Sequence, residues 1–242
     1  MRTSTLVWLV LCSIAATANA AEPETALPFS AYVGHSYPMT VYWGDTHIHT
    51  ALSLDAGSSG AELGPEQAYR FAKGEEVEVA PGLRAKLHRP LDFLVVADHA
   101  EYLGVARRIR GGDPEILATT KGRHWYELTR GPDGTRAALQ VGAAAFRGEE
   151  LLDPGLTRRL VFDTWQLQAR TAEAHNLPGV FTALIGFEWS SAPGYNLHRN
   201  VILRDGADRA LQVLPFSATD SLRPEDPWAY MEDYERKTGG QA

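Results

Sequence analysis

Cysteine is almost missing from this chain of 242 residues, which contains only Cys12. Cys12 lies in an apolar stretch that we expect to be removed, so the remaining chain offers neither disulfides nor thiolate ligands. Any transition-metal site must then use His, Asp and Glu side chains. Runs of Lys or Arg are also missing, and the net charge is −7. This acidic balance argues against binding to the phosphates of nucleic acids.

Long hydrophobic runs are missing as well. The apolar run at residues 6–16 is too short to span a bilayer. It follows Arg2 and precedes Ala18-Asn19-Ala20, a pattern that signal peptidase accepts. We predict a signal peptide at residues 1–20, with an uncleaved anchor as the alternative. The chain is then exported, to the periplasm if its source is Gram-negative, with no membrane contact after cleavage.

Hydrophobic residues make up 44 % of the chain, enough to build a core. After a lead-in arm at residues 21–40, we expect a single domain over residues 41–242. Within it apolar strands alternate with helices, which indicates an α/β fold with a mainly parallel sheet. The predicted strands cover residues 41–45, 91–97, 179–189 and 196–204. The predicted helices include residues 66–73 and 157–174, the second capped by Thr157, and residues 55–60 are expected to form a loop.

Polar residues of the kinds that bind metals follow three of these apolar strands. His47 and His49 end the first, and because residues two apart in an extended segment share a face, both imidazoles can reach one cation. Asp45 could orient one of the rings. The alternative is a pair of partly exposed strand histidines. Ligands in parallel sheets collect at the carboxyl ends of strands, which favours the metal site.

Asp98 and His99 follow the second apolar strand. Neutral histidine is a common ligand for first-row metals, so His99 is a candidate ligand. Asp98 has a simpler explanation as the cap of a following helix. Glu101 either faces the site or belongs to a solvated helix start.

Glu188 ends the third strand, where its carboxylate could bridge two cations or simply lie on the surface. His198 is a further ligand, a general acid or a hydrogen-bonded strand histidine. Asp55 is a lesser candidate for a ligand or general base, since loop aspartates more often form turns. We interpret His88 and His175 as structural, together with His124.

Three short sequence motifs resemble those of a known superfamily. They are Trp43-Gly44-Asp45-Thr46-His47-Ile48-His49-Thr50, Ala97-Asp98-His99-Ala100-Glu101-Tyr102-Leu103-Gly104 and Gly186-Phe187-Glu188-Trp189. In this order they resemble the PHP (polymerase and histidinol phosphatase) superfamily. The similarity is to a secreted bacterial branch catalogued as a domain of unknown function, and it spans about residues 40 to 205.

The resemblance implies a distorted (β/α)7 barrel with two or three divalent metals, Mn, Zn or Fe, at its mouth. It implies metal ligands at His47, His49, His99, Glu188 and His198, with Glu188 bridging. It also implies that Asp55 lies near a further ligand position. The implied reaction is hydrolysis of a phosphate ester of a small molecule by a metal-activated water.

The chain departs from the superfamily pattern after Asn200, because no histidine follows it, whereas the pattern continues with another His and an Asp-x-His. We count four or five strands, too few for a closed barrel, and therefore expect this chain to be the N-terminal part of the domain. We expect an exported metal-dependent hydrolase, most simply a phosphoesterase. The alternatives are hydrolysis of an amide or sulfate ester, and a metal-binding domain or fragment without activity.

Overall fold

The computed structural model describes residues 40–132, 136, 140–141, 143–144, 147, 149–191 and 197–242. The predicted signal peptide, residues 1–20, and the lead-in arm before Thr40 lie outside these residues. Residues 42–242 form one compact unit. In the described part of the chain, no helix combines the length and the apolar character needed to cross a membrane.

The described residues form six strands in two sheets: β1 (Gly44–Ile48), β2 (Val77–Ala80), β3 (Leu83–Ala85), β4 (Phe93–Val96), β5 (Thr182–Ser190) and β6 (His198–Leu203). The main sheet has the order β1-β4-β5-β6, with three parallel strands and an antiparallel β6. This arrangement confirms the predicted α/β class. The sheet curls into a half-barrel, and the closed (β/α)7 barrel stays a prediction.

The two predicted strands nearest the site differ in burial. β4 lies inside the sheet, and Leu94, Val95 and Val96 are buried, as their continuous apolar pattern predicts. The first strand was predicted to be buried at residues 41–45. It instead starts at Gly44 and is exposed, since β1 is an edge strand of the main sheet.

Eight helices are described over their whole length: α1 (Leu54–Ser59), α2 (Pro65–Ala72), α3 (Val105–Gly111), α4 (Pro114–Leu117), α5 (Thr120–Arg130), α6 (Pro154–His175), α7 (Ala207–Ala210) and α8 (Asp226–Thr238). The helix predicted at residues 66–73 is α2, and that at 157–174 lies within α6. Asp153 caps α6 by accepting the N–H groups of Gly155 and Leu156, so the predicted Thr157 cap is wrong. The loop predicted at residues 55–60 is also wrong, because α1 occupies it.

α6 packs its buried face against the sheet and orders the strand ends that carry the site. Trp165 of α6 is fully buried and makes an edge-to-face contact with Phe187 of β5. Gln168, also buried, donates from Nε2 to the carbonyls of Val96 and Gly186 at 3.0 and 2.8 Å. One amide therefore ties the carboxyl end of β4 to the middle of β5.

Candidate metal centre

His47 and His49 converge where β1 ends. Their Nε2 atoms lie 3.2 Å apart, and the side chain of His47 is 47 % exposed while that of His49 is half-buried. Asp45 does not orient either ring, because its Oδ1 accepts the backbone N–H of His47 at 2.8 Å. The two imidazoles thus open towards the solvent from the edge of the sheet.

Glu188 is the carboxylate on which the imidazoles meet. Its side chain is 1 % exposed, so the alternative of a surface glutamate is wrong. Oε2 lies 2.7 Å from His49 Nε2, 3.2 Å from His47 Nε2 and 3.3 Å from His99 Nδ1. Oε1 lies 2.5 Å from His198 Nδ1. Two oxygens that reach different imidazoles are the arrangement a bridging carboxylate requires, although the bridging role itself stays a prediction.

Asp55 reaches the centre from the first turn of α1, not from a loop. Both of its carboxylate oxygens lie 3.1 Å from His49 Nδ1, and Oδ2 lies 3.8 Å from His99 Nε2. Ser53 donates its hydroxyl to Asp55 Oδ1 at 2.6 Å and accepts the backbone N–H of His99 at 3.1 Å. This serine therefore fixes both Asp55 and the backbone of His99.

Asp98 links the two histidine-bearing segments instead of capping a helix. It is fully buried and accepts the N–H and the hydroxyl of Thr50 at 2.5 and 2.7 Å. The next helix, α3, starts only at Val105, so the predicted cap is wrong. Burial raises the pKa of Asp98 to about 6. Its hydrogen bonds join the end of β4 to the turn that carries His49.

Glu101 and Ser190 both belong to the site. The sequence suggested a place in the site as one of two alternatives for Glu101 and did not suggest Ser190. Glu101 is fully buried, which overturns the solvated helix start. Ser190 Oγ lies 2.9 Å from His99 Nδ1 and 3.3 Å from His198 Nδ1. Its place two residues after Glu188 on β5, and so on the same face, is the signal that could have found it.

The carboxylates of Glu188 and Asp55 and the imidazole of His49 shift one another's pKa values. Burial favours the neutral form of Glu188, but its hydrogen bond to His49 and the charge of His99 outweigh burial and lower its pKa to about 2. Burial likewise opposes the charge of His49, but Asp55 and Glu188 raise its pKa to about 10. The pKa of Asp55 is lowered, mainly by His49 acting against burial. Divalent cations could therefore take the place of imidazole protons here.

The side chains form three overlapping groups. Within each group the possible ligand atoms all lie within 4.8 Å of one another. The groups are His47–His49–Glu188, His49–Asp55–His99 and His99–Glu188–His198. Nitrogen and oxygen donors of this kind suit Mn, Fe and Zn, so the donor set fits the predicted class of metal. The clusters could hold a metal ion, while the identity and number of the metals stay predictions.

The remaining histidines of the described chain lie elsewhere. His175 Nε2 lies 2.8 Å from Glu66 Oε2, and its ring stacks on Tyr69 near the start of β5, opposite the end that carries Glu188. His88 and His124 are exposed. None of the three belongs to a group of possible metal ligands among the described residues.

A family model matches residues 36–242, a range that includes every described residue. The chain belongs to the DUF3604 family, described as proteins of unknown function. Membership of DUF3604 confirms the predicted domain of unknown function. Comparisons with curated proteins and with solved structures give no match.

Proposed function

We propose that this DUF3604 chain carries the metal centre of an exported metal-dependent hydrolase that cleaves phosphate esters. The observation that supports this proposal most is the convergence of four imidazoles on the buried carboxylate of Glu188. Separate stretches of chain supply these groups at the carboxyl end of a parallel sheet, where α/β enzymes bind their ligands. The ordered motifs also resemble the PHP superfamily, which implies two or three metals and a phosphoesterase activity.

His47, His49, His99, Glu188 and Asp55 would hold the metal ions, with Glu188 shared between them. Bound divalent metals lower the pKa of a water molecule and neutralise charge on phosphoryl oxygens.

His198 would act as a further metal ligand or as the proton donor to the leaving group. Its side chain is 38 % exposed at the rim, and its Nδ1 lies against Glu188 Oε1. The carboxylate can thus hold the ring while the opposite nitrogen faces a substrate. Exchange of His198 for Ala should lower kcat by about 100-fold or more if it donates this proton.

The test is turnover of chromogenic esters by the full chain with added Mn, Zn or Fe. The panel contains a phosphate monoester, a phosphate diester, a sulfate ester and an anilide. We expect metal-dependent release from a phosphate ester, its loss in His49→Ala and its retention in His88→Ala, which removes an exposed histidine. Release from the anilide or sulfate ester alone would refute the phosphate assignment.

One observation favours a second candidate, a metal-binding domain without turnover. No histidine follows Asn200, whereas the resemblance implies further ligands in that part of the sequence. For this candidate we expect metal binding that depends on His49 but no hydrolysis of any ester or amide in the panel.

A further inference from the structure

Glu101 is a buried carboxylate whose two oxygens have different surroundings. Oε1 accepts the backbone N–H groups of Ser190 at 3.1 Å and Ala218 at 2.8 Å. Oε2 has no hydrogen-bond donor among the described residues, yet it lies 3.3 Å from Nδ1 of His99. At this distance the two groups form an ion pair, although the direction falls short of a hydrogen bond.

An ionised oxygen enclosed by protein is costly unless a donor meets it. The ring N–H of His99 is the nearest donor to Oε2, and a hydrogen bond to a carboxylate is stronger than one to a neutral acceptor. Ser190 Oγ is closer to the same nitrogen, at 2.9 Å, but a hydroxyl can either donate to it or accept from it. Glu188 Oε2 also lies 3.3 Å from this nitrogen, but that oxygen already meets His49 and His47, whereas Glu101 Oε2 has no other donor among the described residues. Both carboxylates require a proton on Nδ1, and the hydroxyl does not.

We propose that Glu101 is a positioning residue for the metal centre: it holds the proton of His99 on Nδ1 and so makes Nε2 the ligand atom. Nε2 is the nitrogen that faces Asp55, 3.8 Å from its Oδ2. Histidines that bind metals generally donate their second N–H to a carboxylate or carbonyl, which fixes the tautomer and the ring. Glu101 belongs to none of the three groups of possible ligands, so it acts through His99. This inference rests on the metal centre of the proposed function.

Glu101→Gln is the informative variant. A glutamine keeps one oxygen for the N–H groups of Ser190 and Ala218, so it should preserve the fold. Its NH₂ group donates towards Nδ1 of His99, which favours the tautomer with the proton on Nε2. Ala at this position would instead leave two buried N–H groups without an acceptor and destabilise the chain.

The first experiment measures zinc affinity by competition with a chelator, and the melting temperature, for the full chain and three variants. We expect Glu101→Gln to bind zinc about 10- to 100-fold more weakly at an unchanged melting temperature. Glu66→Gln is the matched control, because it neutralises the carboxylate of the distant Glu66–His175 pair, and its affinity should stay within twofold. An unchanged affinity in Glu101→Gln, or a loss found only in Ser190→Ala, would overturn the proposal.

The second experiment uses only the wild-type chain, so it does not depend on whether a variant folds. Long-range 1H–15N spectra of the zinc-loaded wild-type chain should show His99 protonated at Nδ1 and bound through Nε2, whereas the reverse assignment would overturn the proposal. If the wild type binds none of zinc, manganese and iron, the proposed function fails by itself. The spectrum of the metal-free chain, at a pH above the titration of His99, then tests Glu101: a proton on Nδ1 is expected, and a proton on Nε2 contradicts the inference.

Discussion

Asn200 of β6 donates from Nδ2 to the carbonyl oxygen of Thr46 in β1 at 2.9 Å. These strands are the two edges of the main sheet and are separated by β4 and β5. In a flat sheet three strand spacings would hold them about 14 Å apart. The bond therefore joins the edges of the curled sheet, and the curl brings His47 and His198 to opposite sides of Glu188.

The first prediction concerns this link. Asn200→Ala should lower the free energy of unfolding by about 1 kcal/mol, the typical value of one hydrogen bond. It should also weaken metal binding, because the two edges then separate more easily. Urea denaturation and a zinc competition titration measure the two effects. Arg199→Ala is the control, since the one hydrogen bond of its guanidinium to a described residue is to the carbonyl of His198. Equal losses in both variants would contradict the role of Asn200.

The second prediction concerns Gly104, which precedes α3 with φ of 77°. A Cβ at this position would lie 2.3 Å from Thr164 Oγ1. Gly104→Ala should therefore cost about 2–4 kcal/mol of stability, from both backbone strain and overpacking. Gly82 has φ of 76° but nothing within 4 Å of its added Cβ, so Gly82→Ala should cost only about 1 kcal/mol. Equal costs in urea denaturation would show that the contact with Thr164 is unimportant.

The third prediction concerns stability at alkaline pH. Burial raises the pKa of Tyr234 to about 12, helped by its hydrogen bond to Asp205 Oδ2 at 2.9 Å. The unfolded chain loses this proton near pH 10. Between pH 10 and 12 the folded state thus holds the proton more tightly, and the stability it contributes is full below pH 10 and lost as pH rises through this window.

Tyr234→Phe removes the phenol and should flatten this part of the pH dependence. At pH 8 the variant should be about 1 kcal/mol less stable than the wild type, because one hydrogen bond is lost. The difference should shrink towards pH 12. Urea denaturation at a series of pH values measures both, and parallel stability curves would contradict the assignment.

The fourth prediction concerns stabilisation by metal. A divalent cation that binds only the folded chain should stabilise it by about 2.7 kcal/mol at 100 times its Kd, and a chelator should reverse the gain. The stabilisation should disappear in His49→Ala and persist in His88→Ala. Thermal melts with and without zinc provide the measurement. A gain that survives in His49→Ala would place the cation elsewhere.

The sequence predicted most of the elements that position the site, because strand ends leave local signals. The apolar run before Asp98 predicted β4, and the spacing of His47 and His49 predicted that their two imidazoles lie on the same face. Burial was harder to foresee, since it depends on distant chain. Glu101 is buried partly against a segment 117 residues later, where the backbone N–H of Ala218 donates to its carboxylate.

Two local errors have similar causes. Gly57 and its neighbours have the composition of a loop, yet they form α1. Gly57 fits there because a Cβ would lie 2.6 Å from the carbonyl oxygen of Ala51. The apolar residues before β1 suggested a buried strand, but β1 lies at the edge of the main sheet and is exposed. Packing partners and strand order are properties of the whole fold, so local patterns did not predict them.

The most direct test of the central claim is anomalous X-ray diffraction from crystals of the chain grown with zinc. We predict a peak at about 2.0–2.2 Å from a Glu188 oxygen and from imidazole nitrogens of His47 and His49. Further peaks are expected between Asp55 and His99 or beside His198 if more than one metal binds. A fully loaded crystal with no anomalous peak within bonding distance of Glu188 would contradict the account.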